Sequence, residues 1–166
     1  IEHAQVVSLD DIPRFVSLDL IASMQPTHAT SDMNMAEDRI GAERLKGAYA
    51  WQTFLKQGTR VAAGSDFPVE SANPFLGLHA AVTRQDSAGN PPGGWHPEQA
   101  MSVTEALRAF TLDAAYAAHA EQTQGTLEPG KWADFILVDQ DIFAVEPAKL
   151  WSTKVLETWV GGKRVF

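Results

Sequence analysis

The chain has 166 residues, 45% of them hydrophobic and 20% charged, with a formal net charge of −8 at pH 7 and no cysteine. This length supports one domain with a substantial core, and the composition is that of an ordinary globular protein. The acidic balance argues against a nucleic acid partner, the lack of cysteine excludes disulfides and thiolate metal sites, and no apolar run reaches the roughly 20 residues that span a bilayer. We therefore expect a cytoplasmic protein with no nucleic acid and no membrane partner.

The first half of the chain alternates strand and helix signals. Residues 1–5 form a short predicted strand, and residues 18–25 form a second one. Apolar residues at mixed spacings of three and four predict an amphipathic helix over about residues 35–56. Residues 60–63 carry small or β-branched side chains and no charge after the first position, which predicts a parallel strand buried on both faces.

The predicted helix over residues 35–56 has two weak points, Gly41 and Gly47. A break after Asp38 is therefore one expected outcome. In that case, residues 30–38 form a mobile loop over the carboxyl ends of the strands.

The region from residue 86 to about residue 119 combines a loop with a helix. Residues 86–97 are rich in glycine and proline and predict a surface loop. Trp95 and His96 within it could line a substrate pocket, although a tryptophan that covers a hydrophobic edge and a solvent-exposed histidine are more typical. Residues 102–105 (SVTE) form a capping box that predicts a helix running to about His119.

The last part of the chain has strand signals. Residues 133–139 predict a buried strand, and residues 155–160 and 163–166 predict a hairpin closed by Gly161 and Gly162. Asp134 lies where a turn enters a strand, so we expect a structural role for it.

Three polar residues follow the three predicted strands of the first half. His3 lies in the first strand, His28 follows the second, and Asp66 follows the third, 63 positions after His3. That spacing is close to two βα units of about 31 residues in an α/β barrel, whose active site lies at the carboxyl ends of the strands. Taken singly, Asp66 in a turn before Pro68 and a histidine with a structural role are the more ordinary interpretations. Together, the three positions predict a cluster at one rim.

Three motifs at these strand ends are similar to those of a known family. The motifs IEHAQ (residues 1–5), SMQPTH (23–28) and GSDFPV (64–69) resemble the last three strand ends of a metal-dependent amidohydrolase. The likeness is to the YtcJ-like group, amidohydrolase family 3, which includes N-substituted formamide deformylases. It extends in the right order over nearly the whole chain, with later signatures at residues 73–75, 81–84, 102–115 and 125–134.

The resemblance implies a fold and a domain organisation. Amidohydrolases are (β/α)8 TIM barrels, and the chain would supply about strands 6 to 8 of that α/β fold. Residues 1–122 would then be the C-terminal part of the barrel with its terminal helices, and residues 123–166 would be strands of a small β-sandwich. None of the first five barrel strands is in this chain, so we expect the chain alone to be nearly inert.

The resemblance also implies roles for the rim residues. His3 corresponds to the metal ligand on the sixth strand, and Asp66 to the eighth-strand aspartate that binds metal and moves a proton. His28, on the seventh strand, is not a general metal ligand of the superfamily. We assign it to a substrate or oxyanion contact, with support of a metal ligand or a purely structural role as the alternatives.

The resemblance implies hydrolysis of an amide-like, non-peptide C–N bond in a small molecule, and the residue types suit that chemistry. A bound divalent ion, Zn²⁺ being our expectation, lowers the pKa of its water to about 7 and polarises the scissile carbonyl. A nearby aspartate takes the proton of that water and passes it to the leaving nitrogen, and we assign this catalytic role to Asp66. One or two ions are possible in the complete enzyme, because the residues that decide the number are outside this chain.

Two other interpretations stay open. The chain could be a non-catalytic α/β unit that self-associates into a homo-oligomer through exposed strand edges, since unpaired edges are templates for pairing. Alternatively, the parent enzyme could use the same metal site for an isomerase or decarboxylase reaction, which the superfamily also supports.

Overall fold

Three segments of the chain lie side by side in a small parallel sheet. The structure, a computed structural model, describes residues 1–166. Strand β1 (Ala22–Met24) pairs in parallel with β2 (Val61–Ala63), and Glu2 forms a parallel bridge with Ser23 on the other side of β1. The order across the sheet therefore follows the order along the chain, so the three carboxyl ends meet at one rim.

The strands are shorter than predicted. Residues 1–5 contribute a single bridge, because His3 and Ala4 adopt left-handed backbone conformations with φ of 67° and 41°. The predicted strand over residues 18–25 is reduced to β1, since Asp19 also has a positive φ and Pro26 begins a helix.

The helix predicted over residues 35–56 is confirmed only in two parts, residues 36–45 and 51–56, and the interruptions include both predicted weak points, Gly41 and Gly47. The loop predicted over residues 30–38 is wrong, because residues 30–32 and 36–38 are helical. Four helices lie before β2: α1 (Arg14–Ser17), α2 (Pro26–Asp32), α3 (Ala36–Leu45) and α4 (Trp51–Lys56). Gly41, with φ of 76° and ψ of 158°, interrupts α3. Between α3 and α4 the backbone leaves the helix to pair with the first segment: Val7 N–H donates to Gly47 O, and Tyr49 N–H donates to Gln5 O. Tertiary hydrogen bonds thus override local helix propensity here.

Three further helices follow β2: α5 (Pro74–Thr83), α6 (Val103–Phe110) and α7 (Leu112–Ala117). The predicted capping box is confirmed, because Ser102 Oγ accepts from Glu105 N–H while the Glu105 carboxylate accepts from Ser102 N–H. The predicted single helix to residue 119 is two helices, divided at Thr111, where φ is −123° and ψ is −86°. Residues 86–97 form the predicted loop, which leads into a 3-10 turn at Pro97–Gln99.

The last part of the chain forms an antiparallel sheet of β3 (Phe135–Val138), β4 (Val155–Val160) and β5 (Lys163–Arg164), in that order. A 3-10 helix, Pro147–Ser152, precedes β4. The predicted hairpin is confirmed: Gly161 and Gly162 both have positive φ, and Asp134 Oδ1 accepts from Gly161 N–H at 2.6 Å.

The predicted burial of the strand at residues 133–139 is wrong. The side chains of Ile136 and Leu137 are 43% and 46% exposed. Val138 and Val155 of this sheet pack against the main core.

The main core is formed mainly by residues of β1, β2 and helices α1 to α6. It includes the fully buried Trp51 and Phe54 of α4, and Phe54 packs on Phe15 of α1 with ring centroids 4.7 Å apart. Arg84, at the end of α5, lies buried over the ring of Trp51 and donates to the backbone carbonyls of Tyr49 and Trp95. Burial lowers the pKa of Arg84 to about 10, which still leaves it charged at neutral pH. No helix is both long and apolar enough to cross a membrane.

The capping box at the start of α6 gives a test of the fold. Replacing Ser102 by Ala removes the oxygen that accepts from Glu105 N–H, so we expect the free energy of unfolding to fall by about 1 kcal/mol. Urea denaturation followed by circular dichroism measures this. The control is Thr104→Ala, an exposed position of the same helix. Equal stability of the two variants would show that the cap does not stabilise α6.

Candidate active site

His3, His28 and Asp66 come together at the carboxyl ends of the parallel segments. His3 directly follows the bridge at Glu2, His28 lies in the first turn of α2 just after β1, and Asp66 lies three positions after β2. One potential ligand atom of each residue lies within 4.8 Å of those of the other two. The structure thus gathers the three residues that the sequence placed at one rim.

Three residues of this site have left-handed backbone conformations. His3, Asp66 and Tyr49 have φ of 67°, 56° and 49°, in a region that residues with a side chain rarely adopt. Such strain costs free energy and persists where the surrounding structure holds it, which is typical of functional sites. At His3, Asp66 and Tyr49, the backbone in this conformation carries a side chain of the site.

His3 is held by a glutamine and a glutamate. Its Nδ1 lies 2.9 Å from Gln25 Oε1, and Gln25 Nε2 donates to Glu2 Oε1 at 2.7 Å. Partial burial opposes ionisation of Glu2, but hydrogen bonds from Gln25 and Ser23 outweigh it and lower the pKa of Glu2. The ionised carboxylate only accepts, so the amide nitrogen of Gln25 faces Glu2 and its oxygen faces His3.

This arrangement decides where the proton of His3 lies. Because Gln25 Oε1 only accepts, His3 Nδ1 carries the proton and donates it. The lone pair of neutral His3 is then on Nε2. Metal-binding histidines show the same pattern, in which the second ring nitrogen donates to an oxygen that fixes the ring and raises its basicity.

His28 has different neighbours. It is buried, and its Nδ1 lies 3.2 Å from Gln5 Nε2, which is also 3.2 Å from the Tyr49 hydroxyl. That hydroxyl donates to the carboxylate of Asp32. His28 Nε2 is buried without a hydrogen-bond partner and lies 3.8 Å from Asp66 Oδ2. A buried polar atom without a partner costs about 1–3 kcal/mol, so this nitrogen marks a position where a ligand atom would be stabilised.

Asp66 is the most open of the three residues. Its side chain is 37% exposed, whereas that of His28 is 9% exposed. Solvent and a small ligand can therefore reach the Asp66 carboxylate, while His28 forms the inner wall of the site.

Sequence analysis missed the residues behind the two histidines. Gln5 and Gln25 lie within the quoted motifs, two positions after His3 and three before His28, and this proximity was the available signal. Tyr49 gave no such signal, because it was counted as part of an amphipathic helix. Trp95 packs edge-on against Tyr49, with ring centroids 5.7 Å apart, and His96 bonds to Glu98. Neither is a member of the cluster.

Comparison with known proteins identifies the family. The model of the amidohydrolase family matches residues 1–166. The chain belongs to the amidohydrolase family. The resemblance seen in its motifs is thereby confirmed.

Individual relatives agree with this assignment. This amidohydrolase chain is 32% identical over 164 residues to YtcJ of Bacillus subtilis, which covers 99% of the chain and 31% of YtcJ. It is 38% identical over 170 residues to LONG AFTER FAR-RED 3 of Arabidopsis thaliana, covering 100% of the chain and 28% of the relative. It is 29% identical over 164 residues to the N-substituted formamide deformylase of Arthrobacter pascens, covering 98% and 30%. The chain thus spans less than a third of the length of these relatives.

Solved structures show the same fold. A metal-dependent hydrolase of Pyrococcus horikoshii OT3 is 32% identical and superimposes with a TM-score of 0.78 over 89% of the amidohydrolase chain and 30% of its own. A variant of the atrazine chlorohydrolase TrzN from Arthrobacter aurescens, solved with zinc and atraton, covers 99% of the chain and 35% of its own. Its TM-score is 0.67 at 21% identity, so it supports the α/β fold alone.

The environment of Tyr49 gives a test of the site geometry. Burial, then the hydrogen bond and charge of Asp32, raise the pKa of Tyr49 well above its ordinary value of about 10, so it stays protonated where a free phenol ionises. We therefore expect the wild type and Tyr49→Phe to show the same rise in phenolate absorbance between neutral pH and about pH 11. Ultraviolet spectroscopy on the folded proteins measures this rise. A loss of that absorbance would show that Tyr49 ionises normally and does not hold its proton toward Asp32.

Proposed function

We propose that the chain supplies part of the active site of a metal-dependent hydrolase of amide-like, non-peptide C–N bonds. The observation that carries this proposal is the cluster of His3, His28 and Asp66, in which one potential ligand atom of each residue lies within 4.8 Å of the others. The hydrogen bond from His3 Nδ1 to Gln25 leaves His3 Nε2 with a lone pair for a metal ion. The likeness to an N-substituted formamide deformylase over 98% of the chain supports an amide-like substrate.

The proposal includes the place of the chain in a larger enzyme. The three parallel segments would be the sixth, seventh and eighth strands of a (β/α)8 barrel, with residues 1–122 in the barrel and residues 123–166 in a β-sandwich. The parallel order of these segments and the match to less than a third of each relative support this organisation.

His3 and Asp66 would hold a divalent metal ion, and we propose Zn²⁺. The residues fit such an ion, because one imidazole nitrogen with a lone pair and one carboxylate form a nitrogen and oxygen donor set. When bound, the ion lowers the pKa of a water to about 7 and polarises a substrate carbonyl. Catalytic zinc sites usually have three protein ligands, so the complete enzyme would supply the others. On this basis we expect the isolated chain to be nearly inert.

The residues of this chain divide the remaining work. The open carboxylate of Asp66 accepts the proton of the attacking water and returns it to the leaving nitrogen, which general acid–base catalysis requires within hydrogen-bond reach. Gln25 and Glu2 hold the ring of His3 and keep its proton on Nδ1. His28 faces the substrate from the inner wall.

Metal analysis of the complete protein tests this proposal. We expect a stoichiometric divalent metal in the wild type, measured by mass spectrometry, and its loss in both His3→Ala and Asp66→Ala, because each removes one ligand. His96→Ala is the matched control, since His96 lies on the loop and its side chain hydrogen-bonds only to Glu98. The wild type should also hydrolyse members of a panel of N-substituted formamides and N-acyl amino acids.

Two results would contradict the proposal. A wild-type protein without metal would exclude metal-dependent hydrolysis. Full metal content in His3→Ala and Asp66→Ala would show that these residues are not ligands.

The hydrogen bond behind His3 gives a second test. Gln25→Leu removes the oxygen that accepts from His3 Nδ1, so we expect zinc affinity to fall by about 10–100-fold. Competition with a zinc chelator measures the affinity. Gln52→Leu removes a glutamine with only long hydrogen bonds, of 3.3 and 3.5 Å, and serves as the control. Equal zinc affinities in the two variants would show that Gln25 does not support metal binding by His3.

A further inference from the structure

Behind His28, the side chains of Gln5, Tyr49 and Asp32 form a hydrogen-bonded series. We propose that Asp32, Tyr49 and Gln5 are positioning residues that keep the proton of His28 on Nε2. His28 would then donate a hydrogen bond to the carbonyl oxygen of the substrate and would not bind the metal. The identity of that oxygen as an amide-like carbonyl rests on the proposed function, whereas the position of the proton does not.

The hydrogen bond between Tyr49 and Asp32 sets the direction in which the other hydrogen bonds of this series are donated. Tyr49 is buried and keeps its proton, and its hydroxyl donates to the carboxylate of Asp32. The only hydroxyl proton is used in that bond. The Tyr49 oxygen can therefore only accept from its other neighbour, Gln5.

The orientation of the Gln5 amide then decides which group of Gln5 faces His28. Because the Tyr49 oxygen accepts, the group that faces it must be the NH2 group of Gln5 and not its carbonyl. The same nitrogen lies 3.2 Å from His28 Nδ1, so its second proton is donated there. A ring nitrogen that accepts carries no proton. Neutral His28 is then protonated on Nε2.

The ring proton therefore lies on opposite nitrogens in His28 and His3. In His3, an amide oxygen accepts from Nδ1 and leaves Nε2 bare, whereas in His28 an amide nitrogen donates to Nδ1 and puts the proton on Nε2. A ring nitrogen that carries a proton has no lone pair for a metal ion. The position of His28 within the 4.8 Å cluster consequently does not make it a third metal ligand.

The N–H of His28 lacks an acceptor in the folded chain. Nε2 is buried, has no hydrogen-bond partner and is 3.8 Å from Asp66 Oδ2, too far for a hydrogen bond. A substrate oxygen beside Asp66 would accept a hydrogen bond from this N–H. The bond would strengthen as the oxygen gains negative charge during attack by water. Removal of one such donor from an oxyanion site costs about 10²–10³-fold in kcat.

Nitrogen NMR of the complete protein with ¹⁵N-labelled histidine tests the position of the proton. His28→Gln identifies the His28 signals by their disappearance. We expect a proton on Nε2 and a bare Nδ1 in the wild type. In Gln5→Glu, the new carboxylate accepts from Nδ1, so a proton should appear there. Tyr116→Phe is the matched control for Tyr49→Phe, and only the latter should disturb the His28 signals, because Tyr116 packs on Arg60 away from the site.

Steady-state kinetics gives the functional half of the test, with the N-substituted formamide or N-acyl amino acid that the wild type hydrolyses. We expect Gln5→Glu to lower kcat by about 10–100-fold at unchanged metal content and little changed KM. His28→Gln keeps an N–H donor and should retain at least about ten times the kcat of His28→Ala, which should lose about 10²–10³-fold.

The outcomes distinguish this inference from the proposed function. A wild-type proton on His28 Nδ1, or a Gln5→Glu variant that leaves Nδ1 bare, overturns the inference even if the enzyme is an active metal hydrolase. Loss of metal in His28→Ala overturns it as well. If the wild type is inactive and free of metal but carries the proton of His28 on Nε2, the proposed function is contradicted, whereas the positioning role of Asp32, Tyr49 and Gln5 is supported.

Discussion

Each histidine of the site has a glutamine behind it, and the two glutamines present opposite ends of their amides. Gln25 is oriented by the ionised Glu2 and turns its oxygen to His3. Gln5 is oriented by Tyr49 and turns its nitrogen to His28. Because an imidazole ring has two nitrogens and, when neutral, one proton, each amide decides whether Nε2 of its histidine carries the proton or the lone pair. Two residues of one type would thereby take the different roles proposed for them, one as a ligand of a metal ion and one as a donor to an oxygen atom.

This division depends on how the backbone brings distant segments together. The segment between α3 and α4 leaves the helical conformation to pair with residues 5–7, and this pairing places the hydroxyl of Tyr49 beside the amide of Gln5. Arg84 holds the same segment from the other side by donating to the Tyr49 carbonyl while its guanidinium lies over Trp51. The left-handed turn at Tyr49 is thus fixed by tertiary contacts on both sides, which explains how an unfavourable backbone conformation persists.

The parts of this structure that sequence predicts are those decided by local chemistry or by regular spacing. His3, His28 and Asp66 were placed at one rim because parallel strands in consecutive βα units end on the same side. The hairpin at Gly161 and Gly162 and the capping box at Ser102 follow from turn and cap preferences that act over a few residues.

Contacts between residues far apart in the chain explain what sequence did not predict. The helix expected over residues 35–56 lost its central part to backbone hydrogen bonds with residues 5–7. The orientation of Gln25 and Gln5 depends on partners 23 and 44 positions away, Glu2 and Tyr49, and no local pattern encodes an amide orientation. The exposure of β3 likewise depends on what covers the sheet, not on the strand's own apolar residues.

The most direct test of these opposite roles is anomalous X-ray diffraction from crystals of the complete protein grown with Zn²⁺. Data collected on both sides of the zinc absorption edge would locate the ion without assumptions about its ligands. We expect zinc density at the cluster, at about 2.0–2.2 Å from His3 Nε2 and from the Asp66 carboxylate, with His28 outside bonding distance. A zinc peak bonded to His28 Nε2, or no peak at the cluster, would contradict the division of roles between the two histidines.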